Sequence, residues 1–211
     1  GAVLTEREKL RPHPLLGAPK ASADAQFYPD ARIGFALSSK VLALREGQRR
    51  VSITLKYGDA AADMGGDLET RIHRLVAAQQ AAQEDAATDS RTEEDIFFKV
   101  FRHLFLIGVT TESGWLDVPE YVPLYSGVDG TCDKNSLTIT FDLAPHIPPL
   151  TPYSRAIHGE DYGTDLPLVR FVINPNGYMY PYGLLRNLPL SEVLIEVAVQ
   201  GCKELVLYNN I

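Results

Sequence analysis

Three carboxylates surround the only tryptophan of the chain, and this grouping is the first place where residue types could support chemistry. Glu112, Asp117 and Glu120 all lie close to Trp115 in sequence. A tryptophan beside carboxylates is typical of a sugar platform, and a glycoside hydrolase needs two carboxyl groups roughly 5 to 10 Å apart. The sequence cannot place any two of them at that distance. Since tryptophan is also a common core residue, we favour core packing and keep the glycan platform at Trp115 as the alternative.

A second group of polar residues falls in the proline-rich stretch 144–165. His146, His158, Glu160 and Asp161 could be imagined as metal ligands. Their spacing matches no metal motif, and a real site needs a full ligand set with supporting partners. We therefore interpret these residues as parts of a polar surface loop and predict no metal site.

The other reactive residues form no catalytic motif. Cys132 and Cys202 are far apart and fit no zinc or redox spacing, so we predict two unpaired thiols. There is no glycine-rich phosphate loop, no nucleophile elbow and no paired-histidine motif. The sequence therefore predicts a protein that is not an enzyme and holds no cofactor.

The clearest structural signal is the strand at residues 51–57. Its apolar residues alternate with polar ones and share one face: Val51, Ile53, Leu55 and Tyr57. An apolar run at residues 40–44 precedes this strand, and Gly47 lies in the short connection. We therefore predict a β-hairpin of residues 40–44 and 50–57, with Gly47 supplying a positive φ.

Further segments continue a mainly β pattern. Period-two alternation predicts strands at residues 137–143 and 193–199. Apolar runs predict two more strands, at residues 104–109 and 168–173. A short strand broken by prolines is predicted around residues 115–122.

Residues 59–102 interrupt the strand pattern with helical signals. Asp67 can cap a helix, and an apolar stripe at helical spacing follows: Leu68, Ile72, Leu75 and Val76. A second apolar face lies at residues 96–101. We predict a helical insertion over about residues 59–102, between two strands of one sheet.

These elements predict the fold class and the domain organisation. The fold is mainly β, an antiparallel β-sandwich with a helical insertion. Residues 1–31 contain four prolines and little periodicity, and they are predicted to form an extended N-terminal arm. Residues 32–211 then form a single β-sandwich domain.

The charge and the hydropathy exclude two classes of partner. The net charge of -7 argues against a nucleic-acid groove and against an anionic membrane surface. No stretch approaches the roughly 20 apolar residues that span a bilayer, so we expect no membrane insertion. Charged residues interrupt the start of the chain, and we expect no secretory signal there.

Four stretches, in this order, resemble one known family. They are residues 32–55, Gly114-Trp115 after an acidic turn, residues 153–170, and residues 195–210. Together they resemble a segment of a large baseplate protein of phage-tail-like contractile injection systems, often described as baseplate J-like. The similarity spans most of residues 30–211, and it implies that the chain is one module of a longer polypeptide.

The resemblance implies a structural role without catalysis. The module would pack into a wedge at the base of a contractile tube and sheath, with other baseplate, tube or sheath subunits as partners. It would be assembled in the bacterial cytoplasm and become part of a virion-like or extracellular particle. In isolation the module is expected to be a monomer.

The contact surfaces of such a module are predicted to be loops, which carry recognition more often than core strands do. We expect the arm of residues 1–31 and the loop of residues 144–165 to contact partners. Within the loop, the partner-contact candidates are Tyr153, His158 and Tyr162, because exposed tyrosines are favoured at interfaces.

Overall fold

The computed structural model describes residues 2–14, 33–43, 47–58, 66–81, 93–125, 135–177 and 182–201. Its strands are β1 (Ala2–Pro14), β2 (Gly34–Ser38), β3 (Gln48–Tyr57), β4 (Phe105–Thr111), β5 (Gly114–Val118), β6 (Val122–Tyr125), β7 (Ser136–Leu143), β8 (Leu168–Ile173) and β9 (Pro189–Gln200). Its helices are α1 (Leu68–Ala81), α2 (Glu93–Phe101), α3 (Arg155–His158) and α4 (Tyr182–Leu185).

The strands form two sheets around one apolar core. The five-stranded sheet has the order β1-β9-β3-β7-β6, and the four-stranded sheet has the order β2-β8-β4-β5. All the paired strands run antiparallel. The buried residues of both sheets and of α1 and α2 belong to a single cluster. The predicted fold class, a mainly β antiparallel sandwich with a helical insertion, is confirmed.

Strand β3 lies at the centre of the five-stranded sheet. Ile53 is opposite Ile139 of β7 on one side and opposite Ile195 of β9 on the other. The three isoleucines are buried, and the alternating residues before and after them on these strands are buried as well. The period-two pattern therefore predicted correctly which face of β3, β7 and β9 points into the core.

The predicted hairpin of residues 40–44 and 50–57 is wrong. Lys40–Ala43 is a 3₁₀ turn, and β3 pairs with β7 and β9 instead. The Ser39 hydroxyl accepts the N–H of Val41 at 3.2 Å, and local bonds of this kind favour a turn over a strand. Gly47 does have a positive φ, +75°, as predicted, and a Cβ there would lie 2.4 Å from the Gln200 carbonyl oxygen.

Helices α1 and α2 form the insertion between β3 and β4. Asp67 caps α1 as predicted, since its carboxylate accepts the N–H of Thr70 at 2.9 Å. The apolar stripe of α1 is buried in the common core. However, β3 and β4 belong to different sheets, so the insertion connects the two sheets and does not lie between two strands of one sheet, as was predicted.

The segment around residues 115–122 also differs from its prediction. It contains two strands instead of one broken strand. Strand β5 belongs to the four-stranded sheet and β6 to the five-stranded sheet, so the chain changes sheets between Val118 and Val122. Pro119 lies in this crossing, where the chain leaves one ladder before it joins the next.

Residues 2–14 form a strand that the sequence patterns did not indicate. Strand β1 pairs with β9 from Ala2 opposite Val199 to Pro14 opposite Pro189, with a register irregularity between Lys9 and His13. The rest of the predicted arm, Cys132, Cys202 and the last ten residues lie outside the described residues. The division into an arm and one domain stays a prediction.

Replacing Ile53 with alanine tests the central register. Ile53 is fully buried between two other isoleucines, so Ile53→Ala should lower the free energy of unfolding by about 2–5 kcal/mol. Urea unfolding followed by circular dichroism measures this loss. Gln48→Ala, at an exposed position of the same strand, is the control and should change stability by less than about 0.5 kcal/mol. Equal stabilities of the two variants would contradict the register.

Candidate functional site

The structure brings together residues that the sequence analysis assigned to two separate sites. Trp115, on β5, lies against Tyr153, His158 and Tyr162, which come from the loop that follows β7. The ring centroid of Trp115 is 5.5 Å from that of His158 and 6.0 Å from that of Tyr162. The Tyr153 ring is 5.5 Å from His158 and 5.4 Å from Tyr162. We call these four residues the aromatic cluster.

Backbone and side-chain hydrogen bonds hold the aromatic cluster together. The indole Nε1 of Trp115 donates to the His158 carbonyl at 2.8 Å. The Tyr153 hydroxyl donates to the Gly159 carbonyl at 2.6 Å and also contacts the Glu160 carbonyl. Because the donors bind backbone carbonyls of α3 and the residues that follow it, the cluster fixes the path of this loop on the four-stranded sheet.

Thr110 of β4 attaches the same loop at a second point. Its side chain is fully buried. The hydroxyl donates to the Thr151 carbonyl at 2.7 Å and accepts the N–H of Leu168 at 3.0 Å. One hydroxyl therefore satisfies a backbone group within the loop and another where the loop enters β8.

Arg170 covers Trp115. Its guanidinium carbon lies 4.2 Å from the Trp115 ring centroid, which is a cation–π contact. The Arg170 side chain crosses Gly108, where an added Cβ would lie 2.9 Å from Nε. A sugar that stacked on this face of the indole would have to displace the guanidinium. The geometry of Trp115 therefore favours its packing role over the glycan platform.

His158 is buried, and both of its ring nitrogens contact backbone groups. Nε2 lies 2.9 Å from the Thr111 carbonyl, which can only accept, so Nε2 carries the hydrogen. Nδ1 lies 3.0 Å from both the backbone nitrogen and the carbonyl oxygen of Ser154, and in the neutral ring it accepts the N–H. No group of three or more possible metal ligands occurs among the described residues, and His146 is exposed on another part of the loop.

The acidic residues of this region are at the surface. Glu160 and Asp161 are exposed, and Asp161 lies 3.6 Å from Arg155 in an exposed ion pair. The Tyr162 hydroxyl donates to the Glu160 carboxylate. Burial of Tyr162, next its hydrogen bond to Glu160 and then the negative charge of that carboxylate raise the pKa of the tyrosine. Glu112, Asp117 and Glu120, the carboxylates near Trp115, are exposed too.

The aromatic cluster therefore holds the loop after β7 against the four-stranded sheet. The premise that the contact candidates are exposed is wrong for Tyr153 and His158, which are 8% and 6% exposed because they pack within the chain. Tyr162 is half-buried. A contact of these three residues with a partner stays a prediction, in which Tyr162 is the most accessible.

A different surface, which the sequence analysis missed, has the features of a docking site. Two cavities adjoin where the chain crosses between the sheets, and we call them together the trough. The larger, of about 890 Å³, lies between the end of α2 and strands β6 and β7. The smaller, of about 150 Å³, lies beside the start of β4. Both cavities are lined by Arg102, Pro119, Glu120 and Tyr121.

Exposed apolar side chains are concentrated along the trough. Among the described residues, four large hydrophobic side chains are exposed. Three of them line the trough: Val122 at 54%, Leu124 at 45% and Leu106 at 52%. Phe98 contributes a partly buried ring to the larger cavity. Clustered exposed apolar groups with a polar rim mark interaction surfaces, whereas single ones need no explanation.

Strand β6 forms one wall of the trough and is an edge of its sheet among the described strands. Its second residue is Pro123, which pairs in register with Ile139 of β7. Proline lacks an N–H and is tolerated in a sheet where its nitrogen faces away from the neighbouring strand. The open edge of β6 therefore lacks a donor at this position, which disfavours the addition of another strand. Binding in the trough would use side chains instead.

Tyr121 forms the floor of the trough. Its buried hydroxyl donates to the Phe101 carbonyl at 2.6 Å and accepts the N–H of Phe105 at 2.9 Å. These bonds join the end of α2 to the start of β4. Burial raises the pKa of Tyr121 to about 12. A raised folded-state pKa means that this contribution to stability is complete below about pH 10 and is lost as pH rises toward 12.

The charges of the trough fall into two groups. Arg50 and Asp142 form a bidentate pair, with N···O distances of 2.8 and 3.0 Å, and the pair holds the pKa of Asp142 below its usual range. Arg102 and Glu120 are both exposed, and the side chain of neither has an ion-pair or hydrogen-bond partner among the described residues. One cation and one anion are thus left for a partner to bind.

The trough could not have been found from periodicity. The sequence places Val122 and Leu124 on either side of a proline in a short strand, and this pattern indicates that they share a face. Their exposure depends on β6 being an edge strand beside α2, which is a tertiary arrangement.

No protein-family model matches this chain, and no curated protein shows significant similarity to it. Among the described residues, no helix combines the length and apolar character needed to cross a membrane.

Replacing Thr110 with valine tests whether the Thr110 hydroxyl holds the loop after β7 in place. Valine has nearly the same shape but leaves the Thr151 carbonyl and the Leu168 N–H without their partner, so Thr110→Val should cost about 1–3 kcal/mol. Thr54→Val is the control, because the Thr54 hydroxyl bonds only Thr138 on a half-buried face that water can reach. Hydrogen exchange of the Leu168 amide should accelerate in Thr110→Val alone. Unchanged exchange would show that the loop is held by other contacts.

Two buried tyrosines provide a matched test of the trough floor. Tyr121→Phe leaves the buried N–H of Phe105 without its partner and removes one of the two donors to the Phe101 carbonyl, so it should lower the free energy of unfolding by about 1–3 kcal/mol. The Tyr57 hydroxyl is buried without a hydrogen-bond partner among the described residues, so Tyr57→Phe should be neutral or stabilising. Chemical denaturation of both variants at pH 7 measures the contrast. A larger loss for Tyr57→Phe than for Tyr121→Phe would contradict the hydrogen-bond assignment.

Proposed function

We propose that this chain is a structural protein–protein interaction module that binds its neighbours through the trough. The observation that carries the proposal is the concentration of exposed apolar side chains along one concave surface, together with a cation and an anion that no partner neutralises within the described part of the chain. Apolar area with a few polar groups is the composition expected of a binding surface.

The two loop attachments support the same proposal. The aromatic cluster and Thr110 bind the loop after β7 tightly to the four-stranded sheet. Trp115, the candidate for a sugar platform, has Arg170 over its ring. These residues hold the fold together, whereas the Arg102 and Glu120 side chains of the trough have no partner among the described residues and are available to bind another protein.

The biological setting rests on the resemblance to baseplate J-like proteins. In that setting the module occupies a wedge of a contractile injection baseplate, and its neighbours are baseplate, tube or sheath subunits. It has no catalytic role. It is assembled in the bacterial cytoplasm as part of a virion-like or extracellular particle.

A pull-down of the full-length protein, expressed with its neighbouring genes, tests this proposal. The wild-type protein should recover tube, sheath or spike subunits. The double variant Val122→Asp/Leu124→Asp should lose them, because two charges on the rim of the trough prevent apolar contact. Ala77→Asp/Ala78→Asp is the matched control, since both alanines are exposed on α1 and line neither cavity.

Two results would contradict the proposal. Equal recovery by the double variant and the control would remove the trough from the interface. Failure to recover any subunit, combined with glycan-array binding that Trp115→Ala abolishes, would favour a carbohydrate-binding β-sandwich module instead.

A further inference from the structure

We infer that the trough binds a second copy of this chain, related to the first by a twofold axis. This inference deepens the proposed docking function and rests on it. It departs from the monomer that the resemblance implied for the isolated module.

Two charged residues, Arg102 and Glu120, line both cavities. Arg102 follows α2 and Glu120 precedes β6, and the two side chains are exposed without binding each other. An occupant that covers both side chains therefore has to offer an anion to Arg102 and a cation to Glu120. Otherwise it buries at least one of these charges without a partner, which is costly.

A second copy meets this requirement by symmetry. In a twofold contact, the same patch faces itself, and a contact from one residue to another is always made twice. When Arg102 of one copy faces Glu120 of the other, the symmetry makes Glu120 of the first copy face Arg102 of the second at the same separation. A surface with one unpaired cation and one unpaired anion is therefore complementary to itself.

The apolar residues fit the same arrangement. Val122 and Leu124 project from β6 at the rim of the larger cavity. In a twofold contact, the rim of each copy can enter the cavity between β6 and α2 of the other. The Arg50–Asp142 pair lines this cavity already neutralised, so it adds no repulsion between the copies.

Charge reversal distinguishes this partner from any other. The wild-type chain should sediment as a dimer in analytical ultracentrifugation. Arg102→Glu gives a patch with two anions and Glu120→Arg a patch with two cations, so each variant alone should dissociate more than about tenfold more readily. Mixing these two variants should restore a dimer, because each patch then faces its opposite. The double variant Arg102→Glu/Glu120→Arg should also dimerise, since every contact is reversed on both sides.

Glu112→Arg, an exposed reversal in the turn between β4 and β5, is the control and should leave the dimer unchanged. Circular dichroism of each variant confirms that it is folded. The inference is overturned by a wild-type monomer at the highest concentration reached, by dimers that tolerate both single reversals, or by single variants that do not associate when mixed. A wild-type monomer that still recovers other subunits through the trough would overturn the second copy and leave the docking function standing.

Discussion

Burial of the alternating face of β3 between β7 and β9 is the constraint on which the rest of the structure depends. Because successive side chains of a strand point to opposite faces, a shift by one residue would exchange the two faces completely. Such a slip would bring Arg50, Ser52 and Thr54 into the core in place of Val51, Ile53 and Leu55. The hydroxyl pairs Ser52–Thr140 and Thr54–Thr138 on the outer face favour the same register, since they form only when these residues are opposite each other.

Two buried arginines bind connecting segments to the elements of the core. Arg49 donates to the carbonyl of Ile147 at 2.7 Å, at the start of the loop after β7. Arg71 donates to the carbonyls of Gly66 and Leu184, each at 2.9 Å, and so joins α1 to α4. Burial lowers the pKa of both guanidinium groups. An arginine fork that binds backbone carbonyls fixes irregular segments that have no ladder of their own.

The trough forms where the chain passes from one sheet to the other. The chain must cross from β5 in one sheet to β6 in the other, and the crossing leaves a short edge strand beside the end of α2. Apolar residues on that strand have no further strand or helix to cover them among the described elements. At this crossing, Tyr121 joins the end of α2 to the start of β4. The same crossing forms the concave surface that we propose binds a partner.

The sequence by itself determined the elements that are governed by local patterns. The alternation in β3, β7 and β9, the Asp67 cap with the apolar stripe of α1, and the positive φ of Gly47 follow from side-chain period, backbone donors and steric freedom. Only the tertiary structure decided which strands become neighbours: Lys40–Ala43 forms a turn while β7 and β9 pair with β3, and β1 pairs with β9 although no sequence pattern indicated it. The candidate site follows the same division. Proximity in sequence suggested Trp115 and the loop residues, yet their packing against each other and the exposure of Val122 and Leu124 depend on contacts between distant segments. The local sequence determines on which face of a strand or helix a side chain lies. The packing of the whole chain determines which strands pair and which other residues that side chain contacts.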